Sequence, residues 1–239
     1  MEIVLRNTQA EELILYHASA EIVTNPSWNH WPDGKITDKR DFGEGFYMCI
    51  DREYPLRLYS KNYDEIFLNK YKLDLANLDV LKFDDDVRWL LTVACHRSSL
   101  KKNRQYKNVY DTIRENISKF DLIIGTISND RFYSTATFFI RGIFTDYMAI
   151  NIAQMMKFGT QYVLKSDRAC GQIHHLGAEK VETDEILSYR KKVTSDEEIM
   201  AELVELKRTE LHSTDKGKFI HQLLGGLEDV DISGWLRGR

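Results

Sequence analysis

Cysteine and proline are both scarce in this sequence, with three of each in 239 residues. The cysteines are Cys49, Cys95 and Cys170, an odd number in which no two have the CxxC spacing. This pattern argues against a secreted disulfide framework and against a thiolate zinc site. It is typical of free thiols in a reducing compartment, so we expect a cytoplasmic protein.

Long apolar runs and an excess of positive charge are also missing. No stretch of 18 or more apolar residues occurs, and residues 1–30 lack the pattern of a signal peptide. We therefore expect no membrane partner. The net charge of −4 argues against a dedicated nucleic-acid scaffold. The basic run at 101–107 is typical of a solvated face, and its functional alternative is a contact with nucleic acid or an acidic substrate.

The chain does have a large apolar fraction, 43%, with 12 Tyr and 11 Phe. Apolar patterns predict strands at 12–17, 45–50, 66–73, 78–83, 120–126 and 161–164. They predict helices at 51–59, 84–98, 134–156, 166–174 and 194–211. Short strands mixed with helices, without regular alternation, predict an α+β fold. The loop-rich stretch 24–45 contains Trp28 and Trp31, and we expect it to be an ordered loop over a cleft.

Four short motifs stand out along the chain. They are Tyr-His-Ala-Ser at 16–19, Asp-Phe-Gly-Glu-Gly-Phe-Tyr at 41–47, Ile-Gly-Thr-Ile-Ser-Asn-Asp-Arg at 124–131 and Thr-Gln-Tyr-Val-Leu at 160–164. Taken singly, each has an ordinary structural interpretation. The Gly-x-Gly of the second motif is a turn rather than a phosphate loop, because the third glycine is missing and no helix begins there.

Together, and in this order over residues 13–177, the motifs resemble a bacterial domain-of-unknown-function family close to the ADP-ribosyltransferases of the His-Tyr-Glu class. The resemblance implies an ADP-ribosyltransferase-like split β-sandwich core with flanking helices, which binds NAD between two small sheets. We expect this domain to cover residues 1–185. Residues 186–239 lie beyond the resemblance, and we expect them to form a helical extension packed on the core or linked to it.

The resemblance also implies roles for individual residues. His17 would bond a ribose hydroxyl, the backbone of Ala18 would pair with the nicotinamide carboxamide, and Ser19 would reach the same amide. The family usually has glycine where this chain has Ala18, and backbone pairing survives that change if φ is negative. Tyr47 would stack on the nicotinamide ring. Further NAD-binding residues in the turn before it are Asp41, Phe42, Gly43 and Gly45, with Phe42 or Phe46 as additional aromatic contacts.

The third catalytic position departs from the His-Tyr-Glu pattern, because Gln161 stands where glutamate is expected. Glutamine can bond a ribose hydroxyl, but it carries no charge and cannot act as a base. Three alternatives follow: Asp130 supplies the acid, the acceptor needs no deprotonation, or the protein binds NAD without efficient turnover. Asp130 and Arg131 also fit a surface ion pair at a turn, and Arg131 alternatively binds the pyrophosphate.

The implied function is an NAD-dependent mono-ADP-ribosyltransferase, which splits off nicotinamide and transfers ADP-ribose to a protein or nucleic acid. Bacterial families of this kind tend to be toxins or phage-defence effectors, which implies a neutralising antitoxin partner. The alternatives are an NAD glycohydrolase and a catalytically silent NAD-binding module whose helix 194–211 contacts a partner. We expect no metal site, since His174–His175 indicate a surface and Asp84–Asp86 the start of a helix.

Overall fold

The structure, a computed structural model, describes residues 12–29, 40–97, 106–128, 130–155, 159–211 and 214–225, together with 234 and 236. Its strands are β1 (Glu12–Ser19), β2 (Phe46–Cys49), β3 (Phe67–Asp74), β4 (Val80–Lys82), β5 (Leu122–Thr126), β6 (Thr160–Leu164) and β7 (Ile173–Lys180). Its helices are α1 (Glu53–Ser60), α2 (Val87–Arg97), α3 (Lys107–Ile117), α4 (Asp130–Ile140), α5 (Asp146–Met155), α6 (Asp167–Gly171), α7 (Thr183–Leu211) and α8 (Ile220–Leu224). The predicted α+β class is confirmed.

The described strands form a mixed sheet in the order β4-β5-β6-β2-β1-β3-β7. Strands β4 and β5 are parallel, and every other neighbouring pair is antiparallel. Alternation along β5 and β6 sends Ile123 and Val163 into one apolar cluster, and Leu122 and Leu164 into another on the opposite face. The first cluster lies under α2, α3, α4 and α5. Both faces of the sheet therefore belong to the core.

Few backbone pairs join β1 to β2 in the sheet. Strand β1 pairs with β3 along its whole length, whereas the described ladder between β1 and β2 consists of the pair Tyr16↔Cys49. Next to that pair, the imidazole Nδ1 of His17 lies 2.8 Å from the carbonyl oxygen of Tyr47. The side chain of His17 thus bonds the Tyr47 carbonyl oxygen at the position where the ladder between β1 and β2 would continue. We call the strands on either side of this single pair the half-sheets, β4-β5-β6-β2 and β1-β3-β7, of the one described sheet.

The described C-terminal segment contains helices α7 and α8, and it packs on the rest of the chain. Helix α7 spans the expected boundary between 185 and 186, and it begins at Thr183 rather than at 194 as predicted. Near its start, Ile186 and Tyr189 pack with Leu56 of α1 and Leu68 of β3. Further residues beyond 186 that enter the largest apolar cluster are Val204, Leu211, Ile220, Leu224 and Leu236.

Two predictions of secondary structure are wrong, each for a local reason. The single helix predicted over 134–156 is divided into α4 and α5, because Gly142 lies between them with φ +68°. The helix predicted over 166–174 ends at Gly171, and β7 follows as an edge strand against β3. Strand β7 has few apolar residues, so the alternation that predicts strands is missing from its sequence. Helix α3 was not predicted.

None of the helices within the described ranges is long and apolar enough to cross a membrane.

Gly45, just before β2, is a position where only glycine fits. Its φ is +156°, and an added Cβ would lie 2.4 Å from Val163 Cγ1 and 2.9 Å from the Leu164 carbonyl oxygen. Gly177 has a similar φ, +145°, but nothing within 4 Å of the added Cβ. We expect Gly45→Ala to lower the free energy of unfolding by about 3 kcal/mol and Gly177→Ala by about 1 kcal/mol. Urea denaturation of both variants measures the difference, and equal losses would contradict this account.

Candidate functional site

His17 lies at the end of β1, at the division between the half-sheets. Its Nδ1 lies 2.8 Å from the Tyr47 carbonyl oxygen, and its ring lies 4.4 Å from the Phe46 ring, centroid to centroid. Because a carbonyl oxygen can only accept, Nδ1 must carry the proton in this bond. In the neutral imidazole, Nε2 is then an acceptor. The fold therefore fixes one tautomer of His17.

The electrostatic surroundings keep this imidazole neutral. Burial, opposed by the bond to Tyr47 and assisted by the positive charge of Arg40, lowers the pKa of His17 from 6.5 to about 4. At neutral pH, His17 is therefore an uncharged side chain that can accept a hydrogen bond from a ligand. It is not a cation that could bind a phosphate group.

Asp41 is the centre of a buried polar network. Its carboxylate is 2% exposed, and its Oδ1 lies 2.6 Å from Arg97 Nε. It accepts hydrogen bonds from the backbone N–H of Ser128 at 2.8 Å, from the Ser128 hydroxyl, and from Gln161 Nε2 at 2.6 Å. A buried carboxylate is stable only with such compensation. The network joins the turn before β2 to α2, β6 and the segment after β5.

The turn between Asp41 and β2 is held by side chains that bond its backbone. The Tyr47 hydroxyl donates to the Gly43 carbonyl at 2.8 Å and accepts from the Phe42 N–H at 3.1 Å. The ammonium of Lys165 donates to the Phe42 carbonyl at 2.7 Å and to the carbonyl of Glu44. These bonds satisfy buried backbone groups that have no strand or helix partner, so the turn has a defined shape.

Two glycines and one arginine complete this turn. Gly43 has φ +71°, and a Cβ there would lie 2.7 Å from the ring of His96. Arg40 donates to the Gly45 carbonyl at 3.1 Å, and its guanidinium carbon lies 5.2 Å from the centre of the Tyr47 ring. Burial and the charge of Asp41 raise the pKa of Tyr47 well above its usual range. Tyr47 is therefore a neutral phenol.

The remaining predicted residues differ in how near they lie to His17. Ala18 is buried beside α1 and α7, and Phe42 is fully buried, with its ring stacked 5.5 Å from Phe83. Ser19 donates to the Glu21 carbonyl at 2.6 Å. Phe42 thus has the position of a core residue, while Ala18 and Ser19 directly follow His17 at the end of β1.

The structure brings Asp41 and Gln161 into contact, and in the described residues His17 is joined to this group through its bond to Tyr47. The second hydrogen of the Gln161 amide points to the Thr126 carbonyl at 3.2 Å, so both donors of the amide bond the protein. Asp130 and Arg131 begin α4, and their side chains lie outside the described residues, as does Trp31.

Sequence reasoning missed four residues that shape this region. Arg97, Ser128 and Lys165 bond the turn or Asp41, and Asn69 bonds the segment that follows β1. Asn69 had a signal that could have been used, because it is the polar residue on the face of β3 whose other members, Phe67, Tyr71 and Leu73, are aromatic or aliphatic. Ser128 lies within the third motif, but its bond to Asp41 has no local signal, and the same is true of Arg97 and Lys165, because the partners of all three are distant in the sequence.

Other candidates have structural roles where they are described. Asp86 accepts from the Arg88 N–H at the start of α2, and Lys107 pairs with Asp111 on an exposed face. His174 is exposed, and the His175 ring lies edge-on against Tyr71 at 5.4 Å. In the described parts of the chain, no three His, Cys, Asp or Glu side chains are grouped to hold a metal ion.

The pKa of His17 gives a direct test of its environment. Because its pKa is lowered on folding, His17 stabilises the fold above pH 6.5, and this contribution is lost as the pH falls from 6.5 towards 4. We expect ¹⁵N NMR to show protonated Nδ1, unprotonated Nε2 and no titration between about pH 5 and pH 8. The variant His17→Gln identifies the signal. A midpoint near 6.5, or a proton on Nε2, would contradict the geometry.

Comparisons with known proteins place the chain in a family. No curated protein and no solved structure matches it. Residues 13–175 match a family described as protein of unknown function (DUF3990). The match covers more than half of the chain and supports the coarser expectation of a domain family of unknown function. The chain is a member of the DUF3990 family.

Proposed function

We propose that the protein is an NAD-dependent mono-ADP-ribosyltransferase, whose site lies where the half-sheets divide. The observation that carries the proposal is His17, a neutral imidazole with Nδ1 bonded to the Tyr47 carbonyl at 2.8 Å. Its Nε2 can accept a hydrogen bond from a ribose hydroxyl. The resemblance of the four motifs to the His-Tyr-Glu class assigns this role to the same residue.

The residues around His17 supply the rest of the proposed NAD site. Ala18 and Ser19 follow it on β1, at the positions assigned to the nicotinamide carboxamide. Tyr47 is partly exposed, with its ring packed against the largest apolar cluster and Arg40 at 5.2 Å, so nicotinamide would contact the exposed part of the ring. The turn at 41–45 is held rigidly by Asp41, Lys165 and the Tyr47 hydroxyl, which agrees with a preorganised site.

The chemistry requires little acid or base catalysis at the leaving group. The bond between ribose C1′ and the nicotinamide nitrogen breaks, its electron pair goes to that nitrogen, and neutral nicotinamide leaves. An acceptor then bonds C1′ through its own electron pair and releases a proton to a base or to water. The protein's task is to orient the ring, exclude water and stabilise positive charge on the ribose. A neutral His17 adds no positive charge next to that centre.

A second candidate function, NAD glycohydrolase, is favoured by the position of Gln161. Both hydrogens of its amide bond the protein, at Asp41 and at the Thr126 carbonyl. The side chain at the glutamate position is therefore a neutral structural group that offers an acceptor no base. Water as the acceptor needs less orientation than a macromolecular nucleophile. In a transferase, Asp130 is the candidate base.

The test is nicotinamide release from NAD, measured by mass spectrometry with the purified chain and a cell lysate. We expect release by the wild-type protein and at least about a hundredfold loss in His17→Ala, because transition-state contacts are worth several kcal/mol. His174→Ala, which changes an exposed histidine of β7, should retain full activity. Circular dichroism melting of each variant confirms that it is folded.

The fate of the ADP-ribose separates the two functions. Label attached to a macromolecule supports the transferase, and free ADP-ribose supports the glycohydrolase. Equal release by wild type and His17→Ala would contradict the proposed site. Binding of NAD without release would favour a catalytically silent binding module.

A further inference from the structure

The segment that leaves β1 is fastened to β3 by side chains. Both backbone groups of Val23 are bonded: its N–H donates to Asn69 Oδ1 at 2.8 Å, and its carbonyl accepts from the Tyr71 hydroxyl at 2.6 Å. We call residues 20–23 the strap. The two side chains that hold it come from positions 69 and 71 of β3, which lie on the same face of the sheet because strand residues alternate.

Asn69 bonds little besides the strap and the end of β1. It is fully buried, and its Nδ2 lies 2.9 Å from the Ser19 hydroxyl oxygen and 3.3 Å from the Glu21 carbonyl oxygen. Burying an amide lowers stability when its hydrogen bonds are not made. An asparagine at this position is therefore explained by the backbone and hydroxyl groups that it orients.

The strap is fastened directly beside His17. Asn69 is the cross-strand partner of His17, and the Phe46 ring contacts both His17, at 4.4 Å, and Tyr71, at 5.7 Å edge-on. Further along the same segment, the Trp28 indole N–H donates to Asp167 Oδ1 at 2.9 Å. The segment is thus anchored at two points on the side of the sheet that carries the His17 ring.

We infer that Asn69 and Tyr71 are positioning residues, which hold the strap and Ser19 as one wall of the NAD site. The inference rests on the proposed function. The Ser19 hydroxyl donates its hydrogen to the Glu21 carbonyl and accepts from Asn69, so one lone pair stays available. That lone pair accepts a hydrogen bond from an N–H of the nicotinamide carboxamide. Asn69 acts through Ser19, and Tyr71 through the strap.

The experiment compares Tyr71→Phe and Asn69→Ala with Tyr110→Phe in the full chain. Tyr71→Phe removes one hydroxyl without changing ring volume, so this variant should fold even if Asn69→Ala does not. Tyr110→Phe is the matched control, because it removes the hydroxyl of a buried tyrosine on α3 that bonds Arg114. The readouts are the Kd for NAD, the KM and kcat of nicotinamide release, and the exchange rate of the Val23 amide.

For Tyr71→Phe we expect the Kd and KM for NAD to rise about tenfold, with kcat changed less than about twofold, since one bond to the site wall is lost. The Val23 amide should exchange faster than in wild type. Tyr110→Phe should match wild type in all readouts. If wild type binds NAD and Tyr71→Phe binds it equally well, the inference is overturned and the proposed function stands. If wild type neither binds nor cleaves NAD, the proposed function fails and the inference fails with it.

Discussion

The buried carboxylate of Asp41 is the constraint on which the rest of this region depends. A negative charge that is 2% exposed must be compensated, and Arg97, Ser128 and Gln161 supply the compensation from three separate parts of the chain. Removing one partner would leave a buried charge or donor unsatisfied. The network therefore determines how the turn before β2 meets α2, β6 and the segment after β5.

Because these bonds hold the turn at 41–45, strand β2 begins at a defined place. The position of β2 matters for the proposed chemistry because β2 carries Tyr47. Tyr47 connects the turn to β1, because its hydroxyl bonds the Gly43 carbonyl of the turn and its own carbonyl accepts from His17. Asn69 and Tyr71 fasten the next segment of chain beside the same histidine. The proposed NAD site would be formed by the turn at 41–45, β1 and the strap, each of which is held by hydrogen bonds.

Much of the fold followed from local pattern, but the contacts of the site did not. Strands β1 to β6 correspond to predicted apolar segments, because a buried strand needs apolar side chains whatever its neighbours are. The motifs contained Asp41, Tyr47 and Gln161, yet the bond between Asp41 and Gln161 spans 120 residues and has no local signal. Edge strand β7 was missed because its sequence lacks the apolar alternation of a strand, and the break at Gly142 was missed because the helical spacing of apolar residues continues on both sides of it.

The central claim is that His17 binds a ribose hydroxyl of NAD where the two half-sheets divide. A crystal structure of the protein with a non-cleavable NAD analogue tests it most directly. We predict that His17 Nε2 lies about 2.7–3.2 Å from a ribose hydroxyl, while Nδ1 keeps its bond to the Tyr47 carbonyl. An analogue bound elsewhere on the protein, or one whose riboses make no contact with His17, would contradict the account.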